Sequence, residues 1–331
     1  MLIPCPWRVR RALVAVCLLG LGLSPLGAQT AAPDNCPAPV QPLGPAQVAE
    51  GLRSAPDRGF LWRLERDGRR SWLYGTLHVA RAEWVVPGPR VRQALNNSDV
   101  LALELDLLDP QTLSELMAPP TEQELAGRAA LTADQQQQVA DLARAQCLPL
   151  AALAGKSPMM QLASLTVLAG RADGFYPELA IDLVLRGWAE ARKIPVLGLE
   201  SAQAQRALLE SLGETVEEQR ETLKEQLAEL TTGHAREQLR KVANIWARGD
   251  LATLAGYPQW CACMDTPAQQ RSMARLLDDR NLPLARRIAA LHAGGQRVFA
   301  AIGALHMVGP SSVVNHLRDA GFTVVPVAFA P

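Results

Sequence analysis

The sequence predicts an α/β protein in which a mixed, largely parallel sheet is built from the N- and C-terminal segments, with a large helical insertion between them. Three observations predict it. Short apolar runs near the two ends of the chain close on the same pattern, Tyr74-Gly75-Thr76-Leu77-His78 and Ile302-Gly303-Ala304-Leu305-His306. The runs at 99–105 and 297–302 are apolar almost throughout, without the alternation of a half-exposed strand, as parallel strands covered on both faces require. From about residue 109 to residue 295, helical spacing dominates.

Residues 1–28 carry Arg8, Arg10 and Arg11 and no acid, then an apolar stretch, then small residues around Gly27-Ala28, which is the pattern of a signal peptide cut near Ala28. The expected location is therefore periplasmic or secreted. The apolar stretch is shorter than the roughly 20 residues of a membrane span, and no later segment reaches that length. Val16 stands before Cys17, where lipid-modified leaders want a small residue. Loss of the leader removes three of 33 basic residues and none of 33 acidic ones, leaving a net charge of −3. That balance disfavours a nucleic-acid partner. The four cysteines that remain, Cys36, Cys147, Cys261 and Cys263, are an even set suited to disulfides in an oxidising compartment, with three possible pairings.

Residues 29–56 form a lead-in rich in Ala, Pro and Gln with little periodicity, and 57–331 read as one domain, with 57–110 and 296–331 as sheet core. Asp67-Gly68 between two apolar runs signals a hairpin over 60–74. A helix is expected over 89–98, with Pro89 in its first turn, and a strand over 99–105 that places Glu104 beside His78. Within the insertion, 111–295, helices are expected at 132–146, 157–168, 177–192, 202–212, 216–230, 235–247, 267–277 and 283–293. One strand at 194–199 interrupts them and ends at Glu200. The chain closes with a strand at 297–302, a turn at 303–309, a helix at 310–320 and a last strand at 322–329.

Parallel strands deliver their C-terminal ends to one rim, where open α/β sheets place their sites. There the two histidines would meet. Imidazole and carboxylate on rigid strand ends suit a divalent ion, so His78, Glu104 and His306 form the candidate ligand set. Gly75 and Gly303 would let the chain turn sharply beside each ring. Glu104 lies in an apolar run and needs a partner such as a metal, an Arg or a His. Glu200 either shares the rim or caps the next helix, and Arg280-Asn281 either bind an oxyanion or orient a carboxylate, or else begin a helix. His234, His292 and His316 lack ligand spacing and are read as surface or packing residues. The sequence contains no serine nucleophile elbow, phosphate loop or dinucleotide glycine cluster.

In order along the chain, the first Gly-x-x-His, Leu103-Glu104-Leu105-Asp106, Gly198-Leu199-Glu200, Leu277-Asp278-Asp279-Arg280-Asn281, the second Gly-x-x-His and Asp319-Ala320-Gly321-Phe322 resemble the TraB/GumN family, related to the TIKI metalloproteases. The resemblance implies a fold akin to the erythromycin-esterase and ChaN-like group. It implies divalent-metal-dependent peptide cleavage on His78, His306 and Glu104, and it makes Arg280 and Asn281 site residues. The expected activity is thus a hydrolase using a metal-activated water, with Mn, Co or Zn as cofactor and Glu104, Glu200, Arg280 and Asn281 as its catalytic side chains. Its substrate would be a peptide or small molecule. The competing expectation is an envelope protein that binds a peptide, a small ligand or haem without turnover.

Overall fold

A computed structural model describes residues 36, 40, 41 and 43–329. The expected signal peptide lies outside the described residues. Among the described residues of the lead-in, Pro45–Ser54 form a helix, α1, none of whose residues is buried. The hairpin follows as β1 (Phe60–Arg66) and β2 (Arg69–Thr76), turning on Asp67 and Gly68, both at positive φ. Next come α2 (Pro89–Asn96) and β3 (Val100–Leu103), as the sequence expects.

The insertion holds α3 (Pro110–Met117), α4 (Glu122–Leu125), α5 (Ala133–Ala145), α6 (Pro158–Leu168), α7 (Ile181–Ala191), the short β4 (Val196–Gly198), α8 (Ala202–Glu210), α9 (Val216–Thr232), α10 (His234–Ala247), α11 (Leu251–Ala255), α12 (Tyr257–Trp260), α13 (Pro267–Met273) and α14 (Asp279–Ala293). Many of these helices begin where a short polar side chain accepts a bond from a first-turn N–H. Asp109, Thr132, Ser157, Ser201, Thr215 and Thr266 all do so. After the insertion come β5 (Val298–Gly303), α15 (Val313–Asp319) and β6 (Thr323–Pro326).

The six strands form one sheet in the order β4-β3-β5-β2-β1-β6. β5 is parallel to β2 and β3, and β4 is parallel to β3, whereas β1 pairs antiparallel with β2 and β6. The mixed, largely parallel α/β sheet is as expected, and β5 is its central piece. Val298, Phe299, Ala300, Ala301 and Ile302 are all fully buried, which explains why this stretch has no polar alternation. A second apolar cluster, including Leu162, Leu165, Leu223 and Leu227, packs inside the insertion. No helix among the described residues is long and apolar enough to cross a membrane.

Several expected boundaries move: the helix expected over 177–192 starts at Ile181 after a 3-10 turn at Pro177–Leu179, and the closing helix and strand shorten to Val313–Asp319 and Thr323–Pro326. The helix placed at 283–293 starts at Asp279 and runs through Pro283, and it continues from α13 through a π-helical turn at Ala274–Asp278. The chain is thus helical through Pro283, which the sequence pattern places at a helix start.

Two disulfides resolve the pairing. Cys36 joins Cys147 across 111 residues, with Cα atoms 5.6 Å apart. Cys261 joins Cys263, two residues on, with Ala262 between them at φ +52. Loop-closure entropy separates the two in energy. Cys147→Ser is expected to cost about 2–4 kcal/mol, and Cys263→Ser at most about 1.5 kcal/mol. Urea denaturation of both variants checks this, and equal losses would contradict the assignment.

Candidate functional site

The site is built where the parallel strands end. β2 and β5 are direct neighbours in register, Gly75 opposite Ile302 and Thr76 opposite Gly303, so the two Gly-x-x-His segments leave the sheet side by side. β3 pairs with the other edge of β5 and delivers Glu104 one residue past its end. The three side chains then surround Gly303. A Cβ on Gly303 would lie 3.4 Å from Glu104 Oε2, 3.4 Å from His306 Cδ2 and 4.0 Å from His78 Nε2. The space they share is the space a side chain at 303 would take.

Each carboxylate and ring is held from behind. Glu104, 6 % exposed, accepts the Gly303 N–H on Oε2 at 3.1 Å. Its Oε1 accepts from Gln205 Nε2 at 3.2 Å and from a terminal nitrogen of Arg280. Glu200, at the start of the turn into α8, binds the same guanidinium through both oxygens, one bond being Arg280 Nε to Oε1 at 3.0 Å, and it also accepts from Gln205 at 3.1 Å. Arg280 is thus clamped between two carboxylates, with its side chain only 14 % exposed. It also donates to the Leu276 carbonyl at 3.0 Å and towards His306 Nε2 at 3.3 Å.

The protonation states follow from these partners. A guanidinium only donates, so His306 Nε2 accepts, and His306 Nδ1–H donates to Asn281 Oδ1 at 2.6 Å. Burial, helped by Arg280, outweighs the pull of Glu104 and lowers the His306 pKa to about 4, which agrees with a neutral ring. Burial acts to raise the Glu104 pKa, but the charges of His306, Arg280 and His78 together bring it down to about 2. His306 is uncharged at neutral pH, so Arg280 and His78 do that work there.

His78 is the open member of the set. Its Nδ1 bonds Asp182 Oδ2 at 3.0 Å, which leaves Nε2 toward the site, and 61 % of the side chain is exposed. Crowding by protein atoms opposes its charge, yet Asp182 first and Glu104 second outweigh this and raise its pKa to about 9. Much of the ring nevertheless stays in reach of water. Asp182 is 6 % exposed, and its Oδ1 is buried with no partner.

All six residues singled out in the sequence, His78, Glu104, Glu200, Arg280, Asn281 and His306, come together here. Glu200 does cap nothing: Ser201 is the N-cap of α8. Among the described residues, however, no group of three or more His, Cys, Asp or Glu side chains lies close enough to hold a metal ion as it stands. Arg280 engages two of the expected ligands instead. His292, expected as a surface or packing residue, is 1 % exposed and bonds Ser71 Oγ and the Arg66 carbonyl, away from this site.

The profile of the TraB/PrgY/gumN family matches residues 60–326, nearly all of the described chain and every residue of the site. The chain belongs to the TraB/PrgY/gumN family. A 58-residue stretch is 43 % identical to a protein of Danio rerio named Metalloprotease TIKI1, and covers 17 % of this chain and 12 % of that protein. No solved structure matches.

Two residues of this family member escaped the sequence reading. Asp182 lies in the first turn of α7, between apolar residues on a buried helix face, and a lone acid there was the available signal. Gln205 lies on α8 with no such mark, because a glutamine on a surface helix is ordinary.

Proposed function

We propose that this TraB/PrgY/gumN protein is an exported hydrolase that cleaves peptide bonds, with a divalent ion, Mn, Co or Zn, bound by His78, Glu104 and His306. The observation that carries the reading is the meeting of those side chains around the Cβ-sized space at Gly303. The donor set fits an ion in its chemistry. Each imidazole is anchored through Nδ1, His78 to Asp182 and His306 to Asn281, which is how ligating histidines are held with Nε2 presented. The partial likeness to a protein named as a metalloprotease supports the same class. Export is supported by the leader-like start of the sequence and by the two disulfides.

A bound ion would supply an acidified water and polarise a substrate carbonyl. The chain's own residues prepare the place. Asp182 and Asn281 fix the two ring orientations, and Gly303 N–H and Gln205 fix the two oxygens of Glu104. Arg280 keeps Glu104 ionised, and His78, which Asp182 and Glu104 hold protonated, would have to give up its Nε2 proton to hold an ion.

A second reading rests on the Arg280 bonds to His306 and Glu104. In that arrangement the exposed His78, backed by the buried Asp182, acts as the acid/base group and no ion is needed. One experiment separates the readings. Protein stripped with EDTA is given a peptide library, then Mn, Co or Zn in turn. Cleavage restored by one ion and absent in EDTA is expected. Cleavage undiminished in EDTA transfers the function to the His78–Asp182 pair, and retention of a ligand without cleavage makes the protein a binder.

A further inference from the structure

Arg280 has five N–H donors, and all five are engaged. Nε bonds Glu200 Oε1, one terminal nitrogen bonds the Leu276 carbonyl and faces His306 Nε2, and the other bonds Glu104 Oε1 and Glu200 Oε2. None is left for a substrate oxygen. The atoms it engages are those that a metal ion needs: the single lone pair of His306, whose other nitrogen is committed to Asn281, and one oxygen of Glu104. A fixed cation paired with two nearly buried carboxylates does electrostatically what a bound cation would do.

We propose that Arg280 is a built-in counter-cation that must release His306 and Glu104 before a divalent ion can bind, so that it sets the metal affinity of the pocket. This rests on the metal-binding reading above. It accounts for a donor set of suitable chemistry that does not close on a metal as it stands. The guanidinium is carried on the first turn of α14, directly after the π turn, and is tied back to it through the Leu276 carbonyl. π turns recur inside helices at functional sites. The chain therefore has two cations to choose between, one covalently attached and one from solution, and the bonds to Glu200 decide how readily the first lets go.

Removing the guanidinium charge leaves Glu104 and Glu200 facing each other across Gln205, which bonds both. Like charges held on the same donor favour any cation that can join them. In calorimetric titration of the full chain with Mn or Zn, Arg280→Gln is therefore expected to bind at least about tenfold more tightly than the unaltered protein. Its melting temperature in EDTA is expected to fall on the order of 10 °C and to recover when the ion is added. If Arg280→Gln does not fold, Arg280→Lys provides the test: it keeps a charge but loses the fork that reaches both glutamates, and a gain of several-fold is expected.

An Arg280 that only supports the structure would give equal or weaker binding in these variants. That result would overturn the proposal while leaving the metal reading in place, provided the unaltered protein binds. Binding by neither the unaltered protein nor any variant would overturn both.

Discussion

Glu104→Gln is expected to lower kcat/KM for peptide cleavage by about 10³-fold or more, while the protein remains folded. The substitution keeps the shape of the side chain and removes its charge. Glu104 is surrounded by donors alone, the Gly303 N–H on one oxygen and Arg280 and Gln205 on the other. An amide cannot accept from both sides, so its NH2 must face either the Gly303 N–H or the guanidinium. Arg280 then keeps Glu200 as its one carboxylate partner. Breaking one side of a buried ion pair costs on the order of 3 kcal/mol, and a thermal melt should register it alongside the rate. The two measurements work together. A large rate loss in protein that the melt shows to be still folded at the assay temperature assigns Glu104 to the reacting centre. A rate within about tenfold of the unaltered protein would remove it from the chemistry and leave it as a clamp for Arg280.

The meeting of the two Gly-x-x-His segments was legible because it depends on topology. Apolar runs without alternation, 99–105 and 297–302, require strands covered on both faces, and such strands are parallel neighbours that end on one rim. β5 duly lies between β2 and β3. Asp67-Gly68 fixed the hairpin through its demand for positive φ, which is a local property. The supporting residues were hidden for the opposite reason. Asp182 reaches His78 across 104 residues and Gln205 reaches Glu104 across 101, and nothing in their own neighbourhoods marks the partner. Arg280 was visible as a candidate, yet its role was not. A sequence can propose that arginine meets an oxyanion, but only coordinates reveal that every donor is already spent on its own chain. Pro283 misled in a different way: a proline suits the first turn of a helix, and here the helix begins four residues before it, at Asp279.

Trp246→Ala is expected to remove about 3–5 kcal/mol of stability, the range for deleting a large buried aromatic. Trp246 lies at the end of α10, 1 % exposed, and is the largest of the fully buried side chains. Its ring packs against Trp84, with centroids 5.4 Å apart, and against Tyr74 at 6.3 Å. Its indole N–H donates to the carbonyl of Gly75 at 2.7 Å, so a helix of the insertion is bonded to the strand that carries His78. Gly59, at φ +79, approaches so closely that a Cβ there would lie 2.7 Å from the indole. The contact is fitted on both sides. Trp246→Phe retains most of the packing and leaves the Gly75 carbonyl without its partner, at a cost of about 1–3 kcal/mol. Comparing the two variants separates the hydrogen bond from the volume. If the bond aligns the His78 segment, Trp246→Phe should lower cleavage by more than its loss of stability explains, measured well below its melting temperature. Full activity in Trp246→Phe would show that His78 is placed by the sheet and Asp182 alone.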